Sequence, residues 1–157
     1  MSAVTGHPHI TPFLWFNNNA EEAVDFYLSV FPNSRRLEEL RNPGEAPGPK
    51  GGILTLTFEL DGQKFIALNG GPDHTFNEAV SFVVNCATQQ EIDYYWQSLL
   101  EDGGSEIACG WLKDKFGLRW QVVPTRIGEL LRHPAAMKAM MQMTKFDIAE
   151  LERAGKA

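Results

Sequence analysis

The stretch Asp114–Pro124, DKFGLRWQVVP, has the alternation of a β-strand with one apolar face and one mixed face. Side chains on an extended strand point alternately to opposite sides of the sheet. The apolar face carries Leu118, Trp120 and Val122, and the mixed face carries Arg119, Gln121 and Val123. Asp114 and Gly117 form the entering turn, and Pro124 ends the strand. The pattern predicts the last strand of a curved sheet whose mixed face lines a cavity.

Upstream of this strand, one order of predicted elements occurs twice. A strand at Ile10–Phe16 precedes a helix that we expect to be capped by Asn19, and a strand at Ala79–Cys86 precedes a helix capped by Thr88. A shift of 68 residues superimposes the two strand and helix patterns, for example Leu14 on Phe82. In the first copy, Asp61-Gly62 joins two alternating strands as a hairpin. A single offset for both elements is what a duplicated module would produce.

The chain is therefore predicted to be an α+β protein with tandem βαβββ modules that form a curved mixed sheet with a cleft. Module one spans residues 10–71 and module two spans residues 79–124. A C-terminal helical tail follows over residues 125–157, with a methionine-rich helix after Pro134 and a last segment capped by Thr144. At 157 residues the chain is too short for two independent domains, so we predict a single domain over 1–157.

Composition restricts the partners of the protein. A net charge of -6 and a pI near 5.2 argue against binding to a nucleic acid backbone. No apolar run approaches the length that spans a bilayer, and the first residues, MSAVTGHPHITP, lack the pattern of a signal peptide. Two cysteines without a CxxC pair predict reduced thiols. We therefore expect a cytoplasmic protein with no membrane partner.

The sequence resembles the vicinal-oxygen-chelate superfamily, which includes glyoxalases, bleomycin-resistance proteins and extradiol dioxygenases. The segments that carry the resemblance are ITPFLWF, AEEAVDFY, FIALNGGP, AVSFVVNC, DKFGLRWQVVP and MMQMTKFDIAELERA. Together they are similar to the PhnB-like branch, whose members are often labelled 3-demethylubiquinone-9 3-methyltransferase-like proteins. The resemblance implies the glyoxalase/bleomycin-resistance fold, in which metal and substrate lie in a cleft between two modules.

The metal ligands implied by the resemblance are not carried over. The four metal positions of the superfamily register on Thr11, Ala67, Ala79 and Gln121. They supply a hydroxyl, two methyl groups and an amide, whereas a divalent transition metal needs anionic or imidazole donors. We therefore predict no metal site and no cofactor.

The parity of the strands predicts which side chains face the cleft and bind a ligand. They are Phe13, Trp15, Phe65, Asn69, Ser81, Trp111, Arg119 and Gln121. The alternative is that these are ordinary sheet residues partly covered by a second subunit. Asp73 and His74 are an open alternative as an acid/base pair, against simple exposure to solvent. Catalytic residues stay unknown.

Three functions remain open. The preferred one is a cytosolic protein that binds a small, mostly apolar molecule in its cleft, with Arg119 and Gln121 as polar anchors. The alternatives are a metal-independent enzyme, such as a methyltransferase, lyase or isomerase, and a non-catalytic structural dimer. No G-x-G-x-x-G turn marks a methyl-donor site. The resemblance and the methionine-rich tail predict a homodimer, and whether the protein is an enzyme stays open.

Overall fold

The structure is a computed structural model that describes residues 8–156. These residues form two compact units, which divide between Thr75 and Phe76. Whether the two units form the predicted single domain stays a prediction. No helix within the described range is long and apolar enough to cross a membrane.

The first unit has one helix and one four-stranded sheet. Its elements are β1 (Phe13–Phe16), α1 (Ala20–Val30), β2 (Ser34–Arg41), β3 (Ile53–Leu60) and β4 (Gln63–Asn69). The predicted hairpin between β3 and β4 is confirmed, since Asp61 and Gly62 both have positive φ angles, of 48° and 85°. The core of this unit lies between the sheet and α1, where Tyr27 stacks on Phe58.

The second unit repeats this arrangement and adds the C-terminal helices. Its elements are β5 (Ser81–Cys86), α2 (Gln89–Leu100), β6 (Ser105–Glu106), β7 (Trp111–Lys113), β8 (Arg119–Pro124), α3 (Ile127–Leu130), α4 (Pro134–Met141) and α5 (Ile148–Lys156). Ile92, Trp96 and Leu99 are the buried face of α2. The predicted Thr88 cap is confirmed, because the Thr88 hydroxyl accepts a hydrogen bond from Glu91 N at 3.2 Å.

The two sheets have the same topology. The first has the strand order β1-β4-β3-β2 and the second has the order β5-β8-β7-β6. In each sheet the first strand pairs in parallel with the last strand, and the other pairs are antiparallel. The predicted α+β class and the tandem βαβββ modules are confirmed.

The start of α1 differs from the sequence prediction. Asn19 makes no capping hydrogen bond with its side chain. Instead, Oδ1 of Asn69 at the end of β4 accepts a hydrogen bond from Ala20 N at 2.9 Å. The first turn of α1 is therefore satisfied by a residue that is distant in sequence, and the prediction of a local asparagine cap is wrong.

Two further boundaries depend on turns that the sequence pattern did not reveal. The strand β7 starts only at Trp111, because Cys109 and Gly110 form a turn with positive φ angles of 59° and 82°. The last helix is not capped by Thr144. It starts at Ile148, and the Asp147 carboxylate accepts a hydrogen bond from Glu150 N at 3.0 Å.

Residues 143–148 connect α4 to α5 and dock on the second module. The carbonyls of Met143 and Thr144 accept hydrogen bonds from Cys109 N and Gly110 N at 2.9 and 2.8 Å. The side chain of Gln89 donates to the carbonyl of Phe146 and accepts from the amide of Ile148, both at 2.9 Å. We call residues 143–148 the C-terminal strap.

Candidate functional site

The second sheet has two chemically different faces. One face packs on α2, and its residues Leu112, Trp120 and Val122 are buried. Residues that pair directly across neighbouring strands point to the same side of a sheet. We call the other face, which points away from α2, the outer face of the second sheet.

Two rows of side chains cross this outer face. Ser81 pairs with Arg119, and Arg119 pairs with Lys113. Val83 pairs with Gln121, and Gln121 pairs with Trp111. The first row is polar and cationic, whereas the second places one amide between an aliphatic and an indole side chain.

The turn before β8 sets the positions of Arg119 and Gln121 in these rows. The carboxylate of Asp114 accepts hydrogen bonds from Phe116 N at 2.9 Å and from Leu118 N at 3.0 Å. Gly117 closes the turn with a φ of 92°, and its amide donates to the Asp114 carbonyl. Because the turn is fixed on both sides, Arg119 enters the strand in a defined register.

Arg119 is bound by groups of its own unit. Its Nη1 donates to the carbonyls of Phe76 and Gly117 at 3.2 and 2.6 Å, and its Nη2 donates to Oε2 of Glu78 at 2.9 Å. Its Nε is buried and has no hydrogen-bond partner within the described residues. Arg119 therefore joins the segment before β5 to β8, and one of its donors is left unused.

Among the described residues, the Gln121 side chain has one hydrogen-bond partner. Its Nε2 donates to the Ser81 hydroxyl oxygen at 2.9 Å, across the β5–β8 pair. This bond uses an N–H group of the amide, and the carbonyl oxygen has no hydrogen bond to residues 8–156. Val83 beside it is 50% exposed, and Trp111 is partly exposed. Four of the predicted site residues, Ser81, Trp111, Arg119 and Gln121, thus share one face.

In the first unit, Trp15 and Phe13 lie on the sheet face that points away from α1. Phe13 is 54% exposed. Trp15 is held in place, because its indole Nε1 donates a hydrogen bond to the Gly71 carbonyl at 2.9 Å. Its ring packs directly on Gly70, where a Cβ atom would lie only 2.4 Å from the ring. The exposed imidazole of His74 packs edge-on against the Trp15 ring, with a centroid distance of 4.6 Å.

The prediction that Phe65 and Asn69 share this face is wrong. Phe13 pairs with Ile66 and Trp15 pairs with Leu68, so the intervening residues of β4 point toward α1. Phe65 is only 5% exposed and stacks on Phe58 in the core. Asn69 bonds to the start of α1, and its Nδ2 also donates to the Ile53 carbonyl at 2.9 Å.

Other residues of these two sheet faces were not among the predicted site residues. They include Ile66 and Leu68 in the first sheet and Val83 and Lys113 in the second. The offset of 68 residues relates β1 to β5 but does not relate β4 to β8, because the segment between helix and last strand is shorter in the second module. Lys113 was detectable, since it lies two residues after Trp111 and just before the Asp114 turn.

The residues at the superfamily metal positions do not fit a divalent transition metal. Ala67 is fully buried on the face of β4 that packs on α1, and its neighbours on the opposite face are also apolar. Thr11 and Ala79 precede their strands, and Gln121 presents a neutral amide. Residues 8–156 hold no cluster of three or more His, Cys, Asp or Glu side chains that could bind a metal ion.

A cavity of about 30 Å³ lies beside Cys86 in the second unit. Its walls include Pro124, Leu130 and Ile148. Burial raises the pKa of the Cys86 thiol to about 12, so this thiol is protonated at neutral pH. The cavity has room for water but not for a typical organic ligand, and we do not count it as a functional site.

Comparison with known proteins agrees with this architecture. The sequence profile of the family described as 3-demethylubiquinone-9 3-methyltransferase matches residues 8–123. The structure of the PhnB protein from Bacillus cereus is similar, with 35% identity and a TM-score of 0.65 over 74% of this chain and 99% of that one. No functionally curated protein is significantly similar to the chain.

Two more distant structures share the fold alone. Protein PA1353 from Pseudomonas aeruginosa is 22% identical, with a TM-score of 0.60 over 75% of this chain and 98% of that one. The fosfomycin resistance protein FosX from Listeria monocytogenes is 13% identical, with a TM-score of 0.55 over 83% of this chain and 100% of that one. The predicted glyoxalase/bleomycin-resistance fold is confirmed. The profile match over most of the chain and the identity to the Bacillus cereus protein show that this chain belongs to the PhnB-like branch of the vicinal-oxygen-chelate superfamily.

Proposed function

We propose that the protein binds a small, mostly apolar organic molecule on the outer face of its second sheet. The observation that carries the proposal is the row formed by Val83, Gln121 and Trp111. A ligand site is usually an apolar surface with a few oriented polar groups. Here one amide, oriented by Ser81, lies between two apolar side chains.

Each residue of the row has a distinct proposed role. The Trp111 indole and the Val83 side chain provide apolar contact, and the Gln121 carbonyl oxygen accepts a hydrogen bond from the ligand. Arg119 keeps its predicted role as a polar anchor, although most of its donors already bind the protein. The assignment of Phe13 and Trp15 of the first module as ligand-binding residues stays a prediction.

A thermal-shift screen with small aromatic and aliphatic compounds tests the proposal. At 100 times the dissociation constant, a ligand that binds only the folded state stabilises it by about 2.7 kcal/mol. We expect hits whose stabilisation falls for Gln121→Leu, which keeps the volume and removes the hydrogen-bonding groups. The matched control is Gln142→Leu, at an exposed position after α4.

Val83 and Val80 provide a second matched pair. Both side chains are largely exposed, at 50% and 65%, but only Val83 lies within the strand. Val83→Ser should weaken binding of the hits, and Val80→Ser should leave it unchanged. If no compound binds, or if every hit tolerates both Gln121→Leu and Val83→Ser, the outer face is not the ligand site.

Sequestration is the form of function that we propose, in place of catalysis. Methyl transfer, which the family description names, commonly uses a Rossmann-like parallel sheet, whereas both described sheets of this chain are mainly antiparallel. A binding protein releases its ligand unchanged. An enzyme would give product in excess over protein when hits are incubated at substoichiometric protein concentration, which would reject sequestration.

The proposed setting is a cytoplasmic homodimer. The protein has two free cysteines and no disulfide within the described residues, which suits a reducing compartment. The dimer is supported by the exposed apolar side chains of Met137 and Met141 on α4.

A further inference from the structure

We propose that the preferred ligand is an organic anion, with an apolar body and a carboxylate or similar oxyanion. This inference rests on the proposed function and specifies the chemical class of its ligand. The apolar body would lie on the row of Val83, Gln121 and Trp111. The oxyanion would lie on the neighbouring row of Ser81, Arg119 and Lys113.

The row of Ser81, Arg119 and Lys113 carries two cations and a hydroxyl group. Arg119 lies in the middle, directly paired with Ser81 on one side and with Lys113 on the other. Directly opposed residues of neighbouring strands have Cβ atoms about 5 Å apart. An oxyanion beside Arg119 is therefore within reach of a second positive charge and of a hydroxyl donor.

The hydrogen bonds of Arg119 leave an incomplete anion site. The Nε and Nη2 groups of a guanidinium form one edge that can bind both oxygens of a carboxylate. In this structure Glu78 accepts from Nη2 alone, and the buried Nε has no partner. A buried N–H without an acceptor destabilises the protein, so a group that accepts from it is expected in the functional state.

Glu78 occupies the position that a ligand oxyanion would take. Its side chain is 71% exposed, whereas the side chain of Arg119 is only 15% exposed. Because the Glu78 side chain lies mostly in solvent, water can hydrate its carboxylate when a ligand carboxylate takes its place on Arg119, so the exchange has a small cost. A ligand carboxylate with one oxygen on Nε and the other on Nη2 would satisfy both groups, whereas the Glu78 carboxylate binds Nη2 alone.

The spacing between the rows defines the size of the ligand. Arg119 and Gln121 are two residues apart on β8, and two residues along a strand span about 7 Å. This distance separates the carboxylate of an aryl acid from the far side of a fused aromatic ring. Aryl carboxylates are therefore suitable probes.

The experiment compares 2-naphthoate with its neutral amide, 2-naphthamide, by isothermal titration calorimetry on the full chain. The two probes have the same ring and differ in charge. We expect 2-naphthoate to bind at least about threefold more tightly, as a weak charge interaction would give. High salt should reduce this difference, because it screens partly exposed charges.

Two charge variants test the assignment of residues. Glu78→Gln removes the internal competitor and should raise the affinity for 2-naphthoate about threefold, while Lys113→Gln should lower it by a similar factor. The matched controls are Glu101→Gln and Lys138→Gln, which make the same charge changes at exposed positions outside the face. Neither control should alter the affinity.

The outcomes separate this inference from the proposed function. If 2-naphthamide binds as tightly as 2-naphthoate, or if Glu78→Gln and Lys113→Gln behave like their controls, the anion inference is rejected and the apolar site is retained. If neither probe binds and the wider screen has no hits, the proposed function and the inference are both rejected. Tighter binding of 2-naphthoate with opposite effects of the two variants would support both.

Discussion

Trp120 Nε1 donates a hydrogen bond of 2.9 Å to Oδ2 of Asp114, and both side chains are buried. The other carboxylate oxygen, Oδ1, binds the backbone amides of Phe116 and Leu118. One acidic residue thus holds the turn before β8 and the largest side chain of that strand. Asp114 is a structural residue, and it fixes the register that places Arg119 and Gln121 on the outer face.

We therefore expect Asp114→Asn to destabilise the protein. An asparagine oxygen can still accept from the two backbone amides, but its NH2 group then faces the indole N–H of Trp120. A buried donor left without an acceptor costs about 1–3 kcal/mol. Urea unfolding measures this loss, and Asp102→Asn is the control, because that side chain is 81% exposed. Equal unfolding midpoints for the two variants would refute the structural role of Asp114.

The buried thiol of Cys86 predicts a pH-dependent stability. Its pKa is raised from 9.0 to about 12, because burial disfavours the thiolate. The folded state thus favours the protonated form. This contribution is fully present below pH 9 and is lost as pH rises from about 9 toward 12, by up to about 1.4 kcal/mol per pH unit. The difference in unfolding free energy between the wild type and Cys86→Ala should decrease between pH 9 and pH 10.5. A constant difference would contradict the assignment.

The sequence predicted the periodic parts of the fold and missed the contacts between distant segments. Alternation in ILTLTFEL and in the stretch from Leu118 to Val122 identified strands, because the burial of one face imposes a period of two. The cap of α1 was missed, because Asn69 lies 49 residues from Ala20. No local pattern records such a pair.

The candidate site was predicted in the second module and only partly in the first. Trp111, Arg119 and Gln121 lie around the Asp114 turn, and the position of this turn indicated to which side of the sheet each side chain points. In β4 both alternating sets contain apolar residues, so the pattern of QKFIALN does not tell which set is buried. The pairing of β1 with β4 decides it, and that pairing depends on tertiary structure.

Exposed methionines on α4 predict self-association. Met137 and Met141 are 41% and 59% exposed and lie one helical turn apart, so they form one apolar patch. Light scattering at micromolar concentration should give the mass of a dimer. Met141→Glu should shift the protein toward the monomer, and Ala135→Glu, at an exposed position on the opposite side of the same helix, should not. A monomeric mass for the unmodified protein would exclude the proposed homodimer.

The residues at the four positions that correspond to metal ligands in the superfamily predict that the purified protein binds no transition metal tightly. Thr11, Ala67, Ala79 and Gln121 offer neither a carboxylate nor an imidazole. We expect elemental analysis of untagged protein to show far less than one zinc, nickel or iron per chain, and chelator to leave ligand binding unchanged. Gln121→Glu supplies one anionic donor and should still not retain metal, because catalytic zinc sites use three protein ligands. A stoichiometric metal lost together with ligand binding would overturn this prediction.

Gly110 packs against the C-terminal strap at a position that has no room for a side chain. Gly110 has a φ of 82°, and a Cβ atom there would lie 2.5 Å from the ring of Phe146, which is buried. Gly117 has a similar φ of 92°, but no atom lies within 4 Å of its Cβ position. Alanine at either site has the same backbone strain, of about 1 kcal/mol. Only Gly110→Ala must also displace Phe146, and overpacking typically costs about 1–3 kcal/mol.

Gly110→Ala should therefore unfold at clearly lower urea concentration than Gly117→Ala. Hydrogen exchange should show faster exchange at the amides of Cys109 and Gly110, which bond to the strap. If the two variants were equally stable and equally protected, Phe146 would not hold the strap against the turn that precedes Trp111.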